Sequence, residues 1–274
     1  MLRVIIISLS CLWTVCLPIQ VHAEVIEGKF ESGGHQFQYE GLSNLKYPFL
    51  RLSDEPLLLI THSSQYWDAR HITWPGITLL VSFFRSHNLP LKYMAAIEER
   101  GAINDVAAKL ANLYFPPGVT TQDIYPYQGD SHRIITLGQH IVIAGGNFTI
   151  CACNTARSAI ALSETHESLH IHYAMDAIYE GQMGVQLKLL EISNRLDDGA
   201  FLRYLRDQYF NQDTLPCKEP SLYALDRQFS YEIYRSGKWI GRYGQGLTPV
   251  VLHFENSQET LRQLGLAETE YRGF

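Results

Sequence analysis

Within residues 139–160 two cysteines, Cys151 and Cys153, follow a glycine pair and precede a helix-forming stretch. The order is Gln-His-Ile-Val-Ile-Ala-Gly-Gly-Asn-Phe-Thr-Ile-Cys-Ala-Cys-Asn-Thr-Ala-Arg-Ser-Ala-Ile. A buried strand that turns through Gly145-Gly146 into a helix presents a thiol at the C-terminal edge of a sheet, where open α/β folds place their sites. The start of a helix stabilises a thiolate through its unpaired N–H groups and dipole, which is what a nucleophilic cysteine needs. A structural bridge is the competing use of the same residues.

Other reactive types recur near predicted strand ends. His62 closes the apolar run Pro56–Thr61, where it could serve as a base. His170 and His172 are two apart on a predicted strand, so both point to one face and could ligate a metal. Asp176 follows the same strand and could orient a base or join a metal site, as could Asp130, with His132 and His140 nearby. No His-Glu-x-x-His motif accompanies them, and ordinary polar packing is the alternative use of these histidines. His62-Ser63-Ser64 raises a serine nucleophile, but no Gly-x-Ser-x-Gly elbow occurs. Gly145-Gly146 is not a phosphate loop, because neither a Gly-x-Gly-x-x-Gly pattern nor a Walker lysine follows. Asn147-Phe148-Thr149 is a glycosylation sequon. No cofactor is named by these residues.

The elements that must hold these groups alternate. A hairpin is expected around Ser32-Gly33-Gly34, with Phe30 before it and Phe37 and Tyr39 after it. Residues 56–62 read as a strand buried on both faces, and residues 75–87 as a buried helix with Pro75 in its first turn. Strand Leu89–Ile97, helix 102–115 with Asn104 as cap, and a long loop over 116–139 follow. Then come strand His140–Gly145, helix Asn154–Leu162, strand Leu169–Ile178 and a long helix over Val185–Tyr209. Beyond Cys217, Phe229–Arg235 and Lys238–Tyr243 form a hairpin about Ser236-Gly237, and Val250–Phe254 is a further strand. This β-α alternation predicts a Rossmann-like three-layer α/β domain with a mostly parallel central sheet and β-hairpins added at both ends.

Residues 1–23 have the layout of a secretory signal peptide. Arg3 precedes the apolar run Val4–Leu17, and Val21-His22-Ala23 offers a cleavage site. The run falls short of the ~20 residues that span a bilayer. The expectation is an exported protein, periplasmic or secreted, with residues 24–274 as a single α/β domain. Its core covers about 55–210 and a β-rich extension about 218–256. Cys11 and Cys16 would leave with the leader, and Cys151, Cys153 and Cys217 remain. An odd number in an oxidising compartment predicts one disulfide, Cys217 with Cys151 or Cys153, and one thiol.

The net charge of −6, with no basic cluster, argues against nucleic acid as a partner. A small-molecule ligand or a protein partner is expected instead, with no membrane span once the leader is gone. The 16 tyrosines suit exposed clefts.

The segment from Gly146 through Thr149 to Thr155-Ala156, followed by a strand with Asp176 beyond it, resembles the isochorismatase-like cysteine hydrolases. The resemblance covers about residues 55–180 and implies the same sheet architecture. It also implies a cysteine working with an Asp and a Lys. Aligned on Gly146 and Thr155-Ala156, the family's cysteine position falls on Ala152, with a cysteine on each side. The first strand ends in Thr61-His62 where the family has Asp, and Lys109 lies on a predicted helix. Three readings follow: a divergent module that binds a small ligand or partner without catalysis, a thiol-dependent hydrolase or redox enzyme using Cys151 or Cys153, and a His/Asp metal protein. In the second, the backbone of Gly146–Thr149 is an expected oxyanion site.

Overall fold

A computed structural model describes residues 25–32, 35–42, 50–52, 55–95, 115–120, 122–126, 134–136, 139–162, 169–181, 185–210 and 229–265. The leader, the helix expected at 102–115 up to residue 114, Asp130, His132 and Cys217 fall outside these residues.

The fold is built on β4 (Leu57–Thr61), whose Leu-Leu-Leu-Ile-Thr run is buried at every position. A strand with no polar face must be covered on both sides. The alternation of a strand supplies that cover here. Leu57 and Leu59 join one core with Ile141, Ile143, Ile171 and Phe254, while Leu58 and Ile60 join another with Val142, Ala144 and Ala174. Helices α2 (Cys153–Leu162) and α4 (Asp198–Leu205) pack in the first core, through Ala156, Ile160, Phe201 and Leu205. Helices α1 (Trp74–Ser86) and α5 (Ser257–Gln263) pack in the second, through Ile77, Leu80, Val81, Phe84 and Leu261. The result is the expected three-layer α/β arrangement.

Beside β4 stand β5 (Leu91–Ala95) and β6 (Ile124–Pro126) on one side. On the other lie β8 (His140–Gly145), β9 (Leu169–Ala174), β14 (Thr248–Glu255), β12 (Phe229–Arg235) and β13 (Lys238–Tyr243), in that order. All neighbours in this eight-stranded sheet are parallel except β12 and β13, which form the hairpin expected about Ser236-Gly237. That hairpin extends one edge of the sheet, and β14 crosses back to lie between β12 and β9. At the other end of the chain β1 (Val25–Ser32) and β2 (His35–Leu42) pair antiparallel with Ser32 opposite His35, as Ser-Gly-Gly predicts. Because the chain leaves β4 toward β5 and later returns to the far side of β4 as β8, the strand order reverses between β4 and β8. A crevice forms outside the carboxyl ends of such a pair.

Three expectations need correction. The stretch 116–139 is not simply a loop: it holds β6 and the short β7 (Ile134–Thr136), which pairs with β3 (Leu50–Leu52). Strands of three residues leave no periodicity to read. The strand from Leu169 stops at Ala174, where Met175–Ala177 forms a 3-10 turn and Tyr179–Glu180 the short β10. The long helix expected over 185–209 is broken into β11 (Leu187–Lys188), α3 (Leu189–Asn194), α4 and a π-helical turn at Arg206–Phe210. The first piece ends at Asn194 with Arg195 as its C-cap, and Asp197 starts the second, its carboxylate accepting a 2.7 Å bond from the Ala200 N–H. That is N-cap chemistry, which opens a new helix rather than continuing an old one.

No described helix is long and apolar enough to cross a membrane.

Candidate functional site

The ends of β4 and β8 bring the first set of reactive residues together. Thr61 pairs with Gly145 in the ladder, so the residues after each strand leave the sheet side by side. His62 follows β4 with a positive φ of 38°, a backbone conformation that costs energy for a side chain with a Cβ. Its carbonyl is fixed by a 3.1 Å bond from the Tyr179 hydroxyl, and its ring stacks on Trp67 at 5.8 Å.

Gly145 and Gly146 both have positive φ, at 74° and 54°. A Cβ on Gly145 would come within 2.1 Å of the Thr61 carbonyl. One on Gly146 would come within 2.4 Å of Thr61 Oγ1 and 3.0 Å of Cys151 Cβ. Only glycine allows the end of β8, Thr61 and the Cys151 turn to close up this far.

The segment Phe148–Ala152 is a π-helical turn that runs directly into α2. Asn147 caps it: its side-chain oxygen accepts the Thr149 N–H at 3.2 Å and hydroxyl at 3.0 Å. The sequon residues Asn147 and Thr149 therefore bond to each other as a helix start. The Asn147 carbonyl collects the N–H groups of Ile150, Cys151 and Ala152. Glu180 clamps the same turn, its carboxylate accepting Thr149 N–H at 2.9 Å and Thr149 Oγ1 at 3.1 Å. Burial pushes the Glu180 carboxyl above its ordinary value, opposed by bonds from Thr149, Gly181 and Asn147.

This turn decides between the two cysteines. Cys153 is fully buried in the core with Ala156 and Ala159. Cys151 is half-buried, and its Sγ lies 2.9 Å from His62 Nδ1. Both carry thiols, so the expected bridge from one of them to Cys217 is not seen. With the Thr149 amide bonded to Asn147 and Glu180, the expected oxyanion role of the 146–149 backbone loses that donor. The 150–152 amides all point at Asn147 O, and His62 is a direct polar partner of the Cys151 thiol.

The loop between β4 and α1 walls the site. Asp68, fully buried, accepts the N–H groups of Ile72 and Thr73 at 2.9 Å each and the Thr73 hydroxyl at 2.7 Å. Trp74 Nε1 donates to the Ser63 carbonyl, and Gln186 Nε2 donates to the Trp67 carbonyl. Ser63 and Ser64 are fully buried, which removes them as open nucleophiles. Among the described residues, their hydroxyls, Trp67 Nε1 and His71 Nε2 are buried with no hydrogen-bond partner. Each such orphan costs about 1–3 kcal/mol, so this loop carries unused bonding capacity.

Asp176 does not join His62. Its carboxylate accepts the Ser257 N–H and hydroxyl at 2.7 Å each, holding the start of α5.

The second set lies on one face of β8, β9 and β14. Register puts His140 beside His170 and His172 beside His253. His170 and His172 do share a face, as their spacing predicts, and it is the face covered by α1 and α5. His140 Nδ1 lies 3.0 Å from His172 Nε2, and His170 Nδ1 lies 2.9 Å from His253 Nε2. Burial pushes His172 well below its ordinary value, His170 to about 4, and His140 down as well, with neighbouring imidazoles adding to it. Glu255, two residues beyond His253, is fully buried with one oxygen 3.7 Å from His253 Nδ1. Sequence reasoning missed His253, Glu255, Glu180 and Trp67. The alternation His253-Phe254-Glu255 was the one local signal, and it identifies a shared face but not the neighbouring strand.

No family model matches the chain, and no curated protein does. Among solved structures, one from Chromobacterium violaceum, ascribed to the isochorismatase family of hydrolases, aligns over 58% of this chain and 90% of its own. The identity is 18% and the TM-score 0.28. At that score the overlap carries no argument about chemistry, and the mostly parallel α/β sheet of this chain stands on its own strand order.

Proposed function

We propose that this protein is a thiol-dependent hydrolase of small carbonyl compounds, with Cys151 as nucleophile and His62 as its base. The observation that carries the reading is the 2.9 Å approach of His62 Nδ1 to Cys151 Sγ at the reversal of strand order. A nucleophile and base within hydrogen-bond reach, at the crevice where α/β folds bind ligands, is the arrangement covalent catalysis requires.

In this reading the Cys151 proton passes to His62 Nδ1 and the thiolate attacks the carbonyl carbon of an amide, ester or thioester. The tetrahedral adduct collapses as His62 returns the proton to the leaving group, which leaves a thioester on Cys151. His62 then takes a proton from water, the resulting hydroxide attacks the thioester, and a carboxylic acid departs as the thiol re-forms. In the isochorismatase-like resemblance His62 stands where that family carries its Asp, so the base changes identity while keeping its place. Burial of Cys153 supports hydrolysis over dithiol redox chemistry, which needs two reachable sulfurs.

The test is the pH dependence of Cys151 alkylation by iodoacetamide, measured by mass spectrometry in wild type and His62→Ala. A wild-type thiol that reacts fast below neutrality and slows in the variant supports the pair. A thiol that titrates near ~8.5 in both would end the proposal and leave a non-catalytic ligand-binding module as the better reading.

A further inference from the structure

We infer that His172, His253 and Glu255 form a binding site for one divalent transition-metal ion of the zinc type, separate from the thiol site. The three side chains come from adjacent parallel strands, with His253 directly opposite His172 and Glu255 two residues further on the same face. Their donor atoms lie within 4.8 Å of one another. His172 is 1% exposed, His253 9% and Glu255 0%.

The pattern of satisfied and unsatisfied atoms points inward. His172 Nε2 is held by His140 and His253 Nε2 by His170, while one Glu255 oxygen accepts from Gln263 Nε2. Among the described residues, the atoms of this cluster left without a hydrogen bond are His172 Nδ1, His253 Nδ1 and Glu255 Oε2. Metal-ligating histidines characteristically have their second nitrogen engaged by an outer partner, which fixes the tautomer and ring direction. Here both do, and the partner in each case is another histidine. Among the described residues no Lys or Arg is paired with Glu255, whose buried carboxyl meets Gln263 and His253.

Two imidazole nitrogens and one carboxylate suit zinc, with further positions left to water or another ligand. The rings of His172 and His253 are stacked at 4.4 Å and only 6° from parallel. Nitrogens in parallel rings do not aim at one point, so closing on an ion requires one ring to tilt. Tyr234, stacked on His253 at 5.4 Å, would move with it.

The experiment uses the full chain, stripped with chelator and reloaded with Zn2+ or Co2+, then desalted and assayed for metal by elemental analysis. One ion per chain is expected, with a Co2+ spectrum lacking the sulfur charge-transfer band. Glu255→Gln and His253→Asn should each lower metal affinity more than the roughly 10–100-fold expected for the outer-shell change His140→Ala. The Cys151→Ser/His62→Ala double variant should retain full stoichiometry. If Glu255→Gln or His253→Asn fails to fold by circular dichroism, the rise in wild-type melting temperature with added Zn2+, retained in the double variant, carries the test. Absence of stoichiometric metal in the wild type would overturn the site, as would metal unchanged in folded Glu255→Gln. A sulfur band lost in Cys151→Ser would move the ion to the thiol. Failure here leaves the alkylation behaviour of Cys151 untouched, so the two proposals stand or fall separately.

Discussion

The two polar clusters of this protein sit in the same sheet and are built by opposite means. The Cys151–His62 pair lies at strand ends, where the ladder stops and two backbones leave the sheet with positive φ at His62, Gly145 and Gly146. The histidine–Glu255 cluster lies within the ladder, on regular strands, and is made wholly by register. Strand ends permit unusual backbone and half-exposed side chains, which suits a nucleophile that must meet substrate. A strand interior fixes side chains at set spacing and excludes water, which suits groups that converge on something small. In the proposed readings the same fold separates a place for reaction from a place for binding.

The largest effect that would sharpen this contrast is at the thiol. Cys151→Ser is expected to abolish rapid alkylation and to lower hydrolysis of any substrate found by more than about 10³-fold. Cys153→Ser should leave both within a factor of a few while lowering stability, because it places a hydroxyl in an apolar core. Peptide mapping after a short iodoacetamide pulse distinguishes them, and equal labelling of both cysteines would break the assignment.

Next is the base. His62→Ala should reduce turnover by roughly 10²–10⁴-fold and return Cys151 to the pH profile of an ordinary thiol. His172→Asn, in the other cluster, should leave that profile in place. If the two variants changed the thiol alike, the clusters would be coupled and not separate.

The difference between the clusters also explains what could be read from the chain. The strand His140–Gly145, the hairpin about Ser236-Gly237 and the buried β4 run were legible because each declares itself within ten residues, by apolar content or by a turn pair. The Cys151–Cys153 region was legible as a candidate site, but which cysteine is half-buried and which sits in the core was not. That depends on the phase of the π-helical turn, set by three amides sharing the Asn147 carbonyl. His170 and His172 were recognised as sharing a face. Their partners come from β14, some eighty residues later in the chain, and strand order is a global property with no local trace. Asp176 looked like a site residue from its place after a strand, yet its carboxylate is spent on Ser257.

A smaller, structural effect tests the strand-end geometry itself. Gly146→Ala is expected to destabilise the protein by roughly 2–4 kcal/mol, from left-handed backbone strain and contact with Thr61 Oγ1. Denaturant midpoints give the stability, and the alkylation rate of Cys151 in the folded variant gives the geometry. The rate should fall, because the added methyl pushes directly on the Cys151 Cβ. A variant as stable and as reactive as wild type would mean the glycine pair does not hold the thiol in place.

The smallest effect concerns the clamp behind the thiol. Glu180 holds the Thr149 turn while buried, and burial raises its carboxyl above the ordinary 4.5. A carboxyl raised on folding binds its proton more tightly in the native than in the unfolded state. The stability it contributes is therefore complete below 4.5 and is lost as pH rises through the raised native value. Glu180→Gln removes that titration. It also sets an amide N–H against donors of Thr149 or Gly181, so at neutral pH it should cost about 1 kcal/mol. The stability gap between wild type and Glu180→Gln should then be wider at pH 4 than at pH 7, as read from urea midpoints across that range. A gap that widens toward neutrality would mean the bonds from Thr149, Gly181 and Asn147 outweigh burial and hold the carboxylate ionised. The turn that carries Cys151 would then present a fixed negative charge close behind its nucleophile, which disfavours the thiolate and leaves more of its stabilisation to His62.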